Sequence, residues 1–410
     1  MKEEDVSHTN VKAKDDVTLD VVEEEGDLIQ SIGKKMKNIS SFRRINRVPQ
    51  EVKKESESYS PKLVSIGPFH HGVDNLKAME EHKWCYLNTL VNRKPIIDTQ
   101  TILENCVNAL RTLEDKARKS YGENTVDQIG SDEFVQMMLL DSAFLIELFI
   151  KYAIKGFRRR DDIFFSNSDM FFRLRRDLIL LENQIPYVVL HQMFHILPIP
   201  KECTYSLIQL ALLFFRKLIP EEGLITIERF GPEVHHLLDL LHNCHLPTSP
   251  QIHSNETQSS IQNVLYLHDV VGIKFKKAIS ESVMNIRFTK DKVLEIPSLK
   301  IHRYSEILFK NMVAMEQCGG KKHVTSYVYL MNSLVKSADD ASYLTQREIL
   351  DCSLYNDEEI FQLMESLQVK PDVKDFYYSG LCEKVNGYKK KNKWKDCLHV
   401  YKKNTKRISS

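Results

Sequence analysis

Along most of the chain hydrophobic residues recur three and four apart, the spacing that gathers them on one side of an α-helix. The run from Asn75 to Asn92 shows it, as does Asp98 to Tyr121 through Leu103, Val107, Leu110, Leu113 and Ala117. "DEFVQMMLLDSAFLIELFIKYA" from Asp132 is different, being apolar on nearly every side, with Ser131 placed to cap it. A helix of that kind belongs at the centre of a bundle. The same reading predicts helices over 169–196, 203–218, 232–242, 304–317, 324–337, 357–368 and about 372–401.

Other stretches break the pattern. Between Arg43 and Gly72 three prolines and two glycines surround one β-like run, Leu63 to Ile66, which predicts an extended, turn-rich packing segment. From Gly272 to His302, "GIKFKKA", "VMNIRF" and "KVLEIPSL" alternate or run β-branched, as in a small antiparallel sheet or ribbon. "HLPTSPQIHSNETQSS", His245 to Ser260, is an exposed loop. Residues 1–27 carry too few hydrophobes to offset the entropy of ordering and are expected to be a solvated acidic leader. No internal repeat is present. The expected fold is mainly α: a large helical bundle with a small antiparallel β insertion at about 272–302, one unit over 28–401, followed by a basic tail, 402–410.

Composition narrows the function classes. With only 14 Gly and 13 Pro in 410 residues, neither disorder nor a turn-dense all-β fold is indicated. A formal net charge of +1 lacks the basic excess of a general nucleic-acid binder. The eight cysteines contain no C-x-x-C pair and read as free thiols of a reducing compartment. The acidic N-terminus has no apolar core of a signal peptide. The longest apolar run, "LIQLALLFFRKLI", includes Arg216 and Lys217 and is too short to cross a bilayer. As written, the chain is soluble and cytoplasmic.

The candidate chemistry centres on "DLILLENQIPYVVL", where Asp177, Glu182, Asn183, Gln184 and Pro186 sit in apolar company. Paired carboxylates drawn from Asp141, Glu147, Asp177 and Glu182 could do general acid–base work on a glycosidic bond. On a helix, however, Asp177 and Glu182 point apart. A proline inside a helix frees the carbonyl four residues back, here that of Glu182. Asn183 and Gln184 then supply donors and acceptors to the opened turn, so the favoured reading is a kinked helix carrying its own polar repair. Asp141 is expected to pair with Arg173, Arg175 or Arg176, because an unpaired interior carboxylate is costly.

Metal-ligand spacings are weak. His191 and His195 lie four apart, but "HQMFH" has Gln where a metalloprotease has its catalytic Glu. His242, Cys244 and His245, with His235 and His236 upstream, read first as a helix C-terminus and only second as a zinc cluster. Neither a metal nor another cofactor is expected. Motifs for nucleophilic, nucleotide-binding or kinase chemistry are missing, and no small-molecule substrate suggests itself. Pro68, Phe69, His70 and His71 in "GPFHHG" stabilise a turn or meet a protein partner. Sequons stand at Asn38 and Asn255. Lys389, Lys390, Lys391, Lys393 and Trp394 open a basic segment with an aromatic stripe, Trp394, Leu398 and Tyr401. Such a segment either docks on the bundle or lies on an anionic membrane surface, where each cation adds about 1 kcal/mol.

Several phrases together resemble one family, the plant domain-of-unknown-function 247 proteins: "RVPQEV" with "YSPKLVSIGPFHHG", then "MEEHKW", "MMLLDSAFLIELF", "DLILLENQIPYVVL", "GIKFK", "LEIPSLKI", "NMVAMEQC" with "TSYVYLMNSLV", and finally "VNGY" and "KWKDCLHVY". The resemblance spans Arg47 to Tyr401. It implies a plant protein with no established enzyme activity or cofactor, from a family commonly anchored in the plasma membrane by a C-terminal helix, some members of which are associated with grass self-incompatibility. After Tyr401 this chain reads "KKNTKRISS" in place of an apolar span, so an anchorless member or a shortened gene model is expected. The expected function is a non-enzymatic recognition or signalling scaffold that presents "GPFHHG" and the His245–Ser260 loop to a protein. The alternative is a metal-independent hydrolase using the buried carboxylates.

Overall fold

A computed structural model describes residues 45–54, 57–93, 98–122, 124–220, 234–248, 260–367 and 376–388. All lie in the unit Arg43–Ser410. The expected acidic leader, both sequons, most of the His245–Ser260 loop, and the basic segment from Lys389 through Trp394 to the end fall outside the described residues.

The chain enters through α1 (Gln50–Lys54), a largely buried extended strap over 61–67, and short 3₁₀ turns at Pro68–His70 and Asp74–Met79. It then forms α2 (Glu80–Val91), α3 (Thr99–Arg118), α4 (Ser131–Ala153), α5 (Ile163–Ser166), α6 (Ser168–Asp177), α7 (Tyr187–Ile196), α8 (Leu207–Phe214) and α9 (Leu237–His245). After α10 (Val264–Asp269) come β1 (Lys274–Ala278), β2 (Arg287–Phe288), β3 (Val293–Pro297) and β4 (Leu299–Lys300). The series continues with α11 (Ser305–Gln317), α12 (His323–Leu334), α13 (Ala338–Thr345), β5 (Leu350–Asp351) and α14 (Asp357–Ser366), and residues 379–388 are again helical.

The all-round hydrophobicity of α4 is explained by its position, since α2, α3, α7 and α8 all pack against it. Phe144, Leu145, Ile146, Leu148, Phe149 and Ile150 have no exposed surface. Helix α3, with one apolar stripe, buries only Ile102, Cys106, Leu110 and Ala117 and is capped by Asp98, whose carboxylate accepts the Thr101 N–H. Farther along, α11 packs on α12, and α13 on α14. One continuous core runs from Ile45 to Val385. The fold is mainly α with a small β insertion.

Several expectations change in detail. Ser131 is the first helical residue of α4 rather than its cap, and its hydroxyl donates to Glu114 Oε2 at 2.5 Å. The β insertion is mixed rather than antiparallel: β3 is central, parallel to β1 with Lys274 opposite Val293, and antiparallel to β2. Alternation reveals which side chains of a strand turn inward (Phe275, Leu294 and Ile296 do) but says nothing about a partner's direction. The predicted helix over 169–196 is two helices, α6 and α7, separated by an irregular turn, and Pro186 immediately precedes α7. Its carbonyl accepts from Val189 and Leu190, so the proline starts a helix where its missing N–H costs nothing.

The strap ends at Gly67, with φ 77° and ψ −176°, a conformation that only glycine adopts readily. A β-carbon there would overlap the carbonyl oxygen of Gln184. Gly67→Ala is expected to cost on the order of 3 kcal/mol, from backbone strain plus overpacking. Gly72, at φ 75° with open space around it, provides the control, and its alanine variant should lose about 1 kcal/mol. Urea denaturation of the two variants measures the difference.

Candidate functional site

The strap Pro61–Gly67 is buried except at Lys62, and Leu63–Ile66 pairs with no strand among the described residues. A buried main chain without a ladder must still satisfy its N–H and C=O groups. Here side chains do so. Asp177, wholly buried at the end of α6, accepts the N–H groups of Lys62, Leu63 and Val64 at 2.6 to 3.1 Å. Asn183 accepts the Ile66 N–H at 2.7 Å through Oδ1 and donates through Nδ2 to Val64 O at 3.0 Å. Asp141, midway along α4, accepts the Gly67 N–H at 2.7 Å. Lys83 of α2 donates to Ser65 O at 2.5 Å and to Asp141 Oδ1 at 2.6 Å. Before the strap, Arg176 donates to the carbonyls of Glu57 and Ser60, and Asn311 of α11 to that of Ser58.

The turn between α6 and α7 is held in the same manner. Asn183 Nδ2 also donates to Asp177 O, and Gln184 Nε2 donates to Leu178 O and Leu180 O at 3.0 and 2.9 Å. Gln184 Oε1 accepts from Leu238 N, its carbonyl from the Tyr121 hydroxyl, and Leu181 N donates to Asn311 Oδ1. Glu182 leaves this turn to accept Val48 N at 2.6 Å, Lys53 Nζ at 2.6 Å and His70 Nε2 at 3.1 Å. Asn183 and Gln184 thus bond the turn's own carbonyls, but those of Asp177, Leu178 and Leu180 rather than the Glu182 carbonyl that a mid-helix proline would free.

Asp141 pairs with Lys83 and with none of the three arginines named from the sequence. Arg173 donates to Lys62 O, and Arg176 pairs with Asp177 at 2.7 Å. The guanidinium of Arg175 is enclosed by the rings of Phe171, Phe214, Tyr152 and Tyr304, 4.6 to 5.9 Å away. Lys83 had no signal of its own: at i+3 from Glu80 it reads as a surface ion pair, yet only 1% of it is exposed.

Burial pushes the Asp141 carboxyl above its usual range, against the pull of Lys83 and the Gly67 N–H. Lys83 is desolvated too, but Asp141 and Glu80 together hold its ammonium above the ordinary lysine value. Asp177 is likewise raised by burial, opposed by the strap N–H groups and Arg176. Burial also works to raise Glu182, but His70, Lys53 and the Val48 N–H overcome it and leave this carboxyl below the usual range.

A second interior cluster surrounds Glu147, which pairs with Arg93 and lies 3.9 Å from Lys151. Lys151 bonds Asp162 at 2.8 Å, which also accepts the Tyr86 hydroxyl. Burial raises the Glu147 carboxyl, and among the described residues its Oε2 has no hydrogen-bond partner.

The remaining sequence candidates are dispersed. Phe69 is buried against Tyr121 and under Arg47, and His70 faces Glu182, so Phe69 and His70 point inward. Pro68 is half-buried, and His71 stands 3.4 Å from Glu133. His242 bonds Glu316 at 2.7 Å, His245 bonds Leu241 O at 2.8 Å, and the Cys244 thiol donates to Leu240 O. Among the described residues no three His, Cys, Asp or Glu side chains converge as metal ligands. A small hollow of about 10 Å³ between β4, α11, α12 and α14, lined by Leu299, Ile301, Phe309, Tyr327 and Met331 among others, includes none of the interior acids. Among the described residues, no helix is long and apolar enough to cross a membrane.

Fold and interior together define a helical-bundle protein built around a side-chain-bound strap. Residues 45–410 match the DUF247 family, described as plant protein of unknown function, and the chain belongs to that family. It is similar to the UPF0481 protein At3g47200 of Arabidopsis thaliana, 28% identical over 380 residues, covering 85% of this chain and 77% of the relative. The putative UPF0481 protein At3g02645 of the same plant is 31% identical over 136 residues, covering 33% of this chain and 24% of the relative. No solved structure matches the chain.

Two predictions follow from these contacts. Asp177→Ala strands three strap N–H groups and removes the counter-ion of Arg176, and should cost about 3–5 kcal/mol by denaturant titration. His245, fully buried, has its pKa pushed down to about 4 by desolvation. The unfolded chain therefore takes up a proton below about pH 6.5 that the folded chain refuses until about pH 4. The stability this imidazole supplies above pH 6.5 is lost across that window. Because the raised acids titrate in the opposite sense, the comparison to make is wild type against His245→Asn: their difference in unfolding free energy should move toward the variant's favour as pH falls.

Proposed function

We propose that the protein is a non-enzymatic recognition or signalling scaffold, in which the interior acids hold the bundle together and carry out no chemistry. The observation that supports this most directly is the occupancy of those acids. Asp141, Asp177 and Glu182 each spend their oxygens on main-chain N–H groups and cations of the same chain. A catalytic carboxylate needs an oxygen free to face substrate. The surface offered to a protein partner includes His71 and the outer side of the Pro68–His71 turn, together with the loop after α9. Association with an anionic membrane through Lys389–Trp394 is a further part of this reading.

Glu147, with its unpartnered Oε2, is the acid on which a metal-independent hydrolase would rest. The two readings separate experimentally. Wild type, Asp141→Asn, Glu182→Gln and Glu147→Gln are assayed against glycoside, ester and phosphate substrates and melted in parallel. The scaffold reading expects no turnover by any of them, with the first two variants destabilised by about 2–4 kcal/mol. Turnover by the wild type that vanishes in Glu147→Gln with the fold intact would overturn it.

A further inference from the structure

One exposed pair of side chains lies outside every network above. Helix α7 buries Val189, Leu190 and Met193 and turns His191 and His195 outward, both exposed. Four residues apart, they stack on successive turns with ring centroids 4.5 Å apart and their Nε2 atoms 3.2 Å from each other. That contact is one N–H to nitrogen hydrogen bond at a water-exposed site, worth little by itself.

The same separation suits a shared metal ion. At metal–nitrogen distances of about 2.0–2.1 Å, two nitrogens 3.2 Å apart subtend roughly 100° at the ion, close to tetrahedral. The buried face of α7 fixes the backbone, so only ring rotation is needed to bring both lone pairs to one point. Imidazole ligands without a carboxylate favour zinc, copper or nickel over magnesium or calcium.

We propose that His191 and His195 form a surface chelate for a borderline divalent transition ion, zinc foremost, with its other coordination positions open to water. This is independent of the scaffold reading. The missing Glu between the histidines, which removes a metalloprotease role, does not affect chelation.

The test is calorimetric titration of the reduced full-length chain with zinc chloride, alongside ring nitrogen NMR of histidine-labelled protein. Wild type should bind one ion at this site and shift the His191 and His195 Nε2 resonances together. Either His191→Ala or His195→Ala, changes at exposed positions, should weaken that binding about a hundredfold by removing the chelate. His268→Ala, at a half-buried position on another helix, should leave it unchanged. Unshifted Nε2 resonances, or affinities in the His191 and His195 variants equal to wild type, would overturn the proposal and place any bound zinc on the thiols.

Discussion

An extended segment buried without a neighbouring strand poses a strict constraint, because its peptide groups have left water and must be bonded by something. In this protein they are bonded by side chains from three helices. Asp177 of α6, Asp141 of α4 and Lys83 of α2 all reach the stretch from Lys62 to Gly67, joined by Asn183 from the turn. The strap therefore acts as a common hydrogen-bond partner of these helices, of which α2 and α4 also meet directly through the Lys83–Asp141 pair. Its charged ligands are each themselves compensated, Asp141 by Lys83 and Asp177 by Arg176, which is the condition for keeping carboxylates in such an interior.

This arrangement gives physical content to the phrases that resemble DUF247. "YSPKLVSIGPFHHG" is the strap, "MEEHKW" brings Lys83, "MMLLDSAFLIELF" brings Asp141, and "DLILLENQIPYVVL" brings Asp177, Glu182, Asn183 and Gln184. Four separated phrases meet at one place in the fold. A polar residue at any of these positions is accounted for by a specific peptide group or counter-ion, so the pattern records a way of building the interior.

Much of the architecture was legible from periodicity. The central place of α4, the one-sided burial of α3 and the location of the β insertion all follow from which residues are apolar and how they are spaced. What failed did so for identifiable reasons. Helix α13 was missed because "ADDASYLT" buries only Asp340, Ala341 and Leu344, too short a stripe to stand out. The turn before Pro186 was read as helix because Leu178, Ile179, Leu180 and Leu181 are all buried, and a wholly buried turn has the composition of a buried helix. That the acids and amides must find partners within the chain could be argued from their chemistry. Which cation served Asp141 could not, since Lys83 reaches it only through the crossing of α2 on α4, a tertiary fact with no local trace.

The strap's ligands also lie far along the chain from it. Asp177 is 113 to 115 residues downstream of the N–H groups it binds, and Asn183 is 117 residues beyond Ile66. During synthesis at about 5–20 residues per second, the strap therefore precedes its last ligand by roughly 6–23 s. Until then its peptide groups lack their full set of side-chain partners. Every side chain that bonds the strap itself lies before α7, so the strap can be locked once the first half of the chain has been made, ahead of α11.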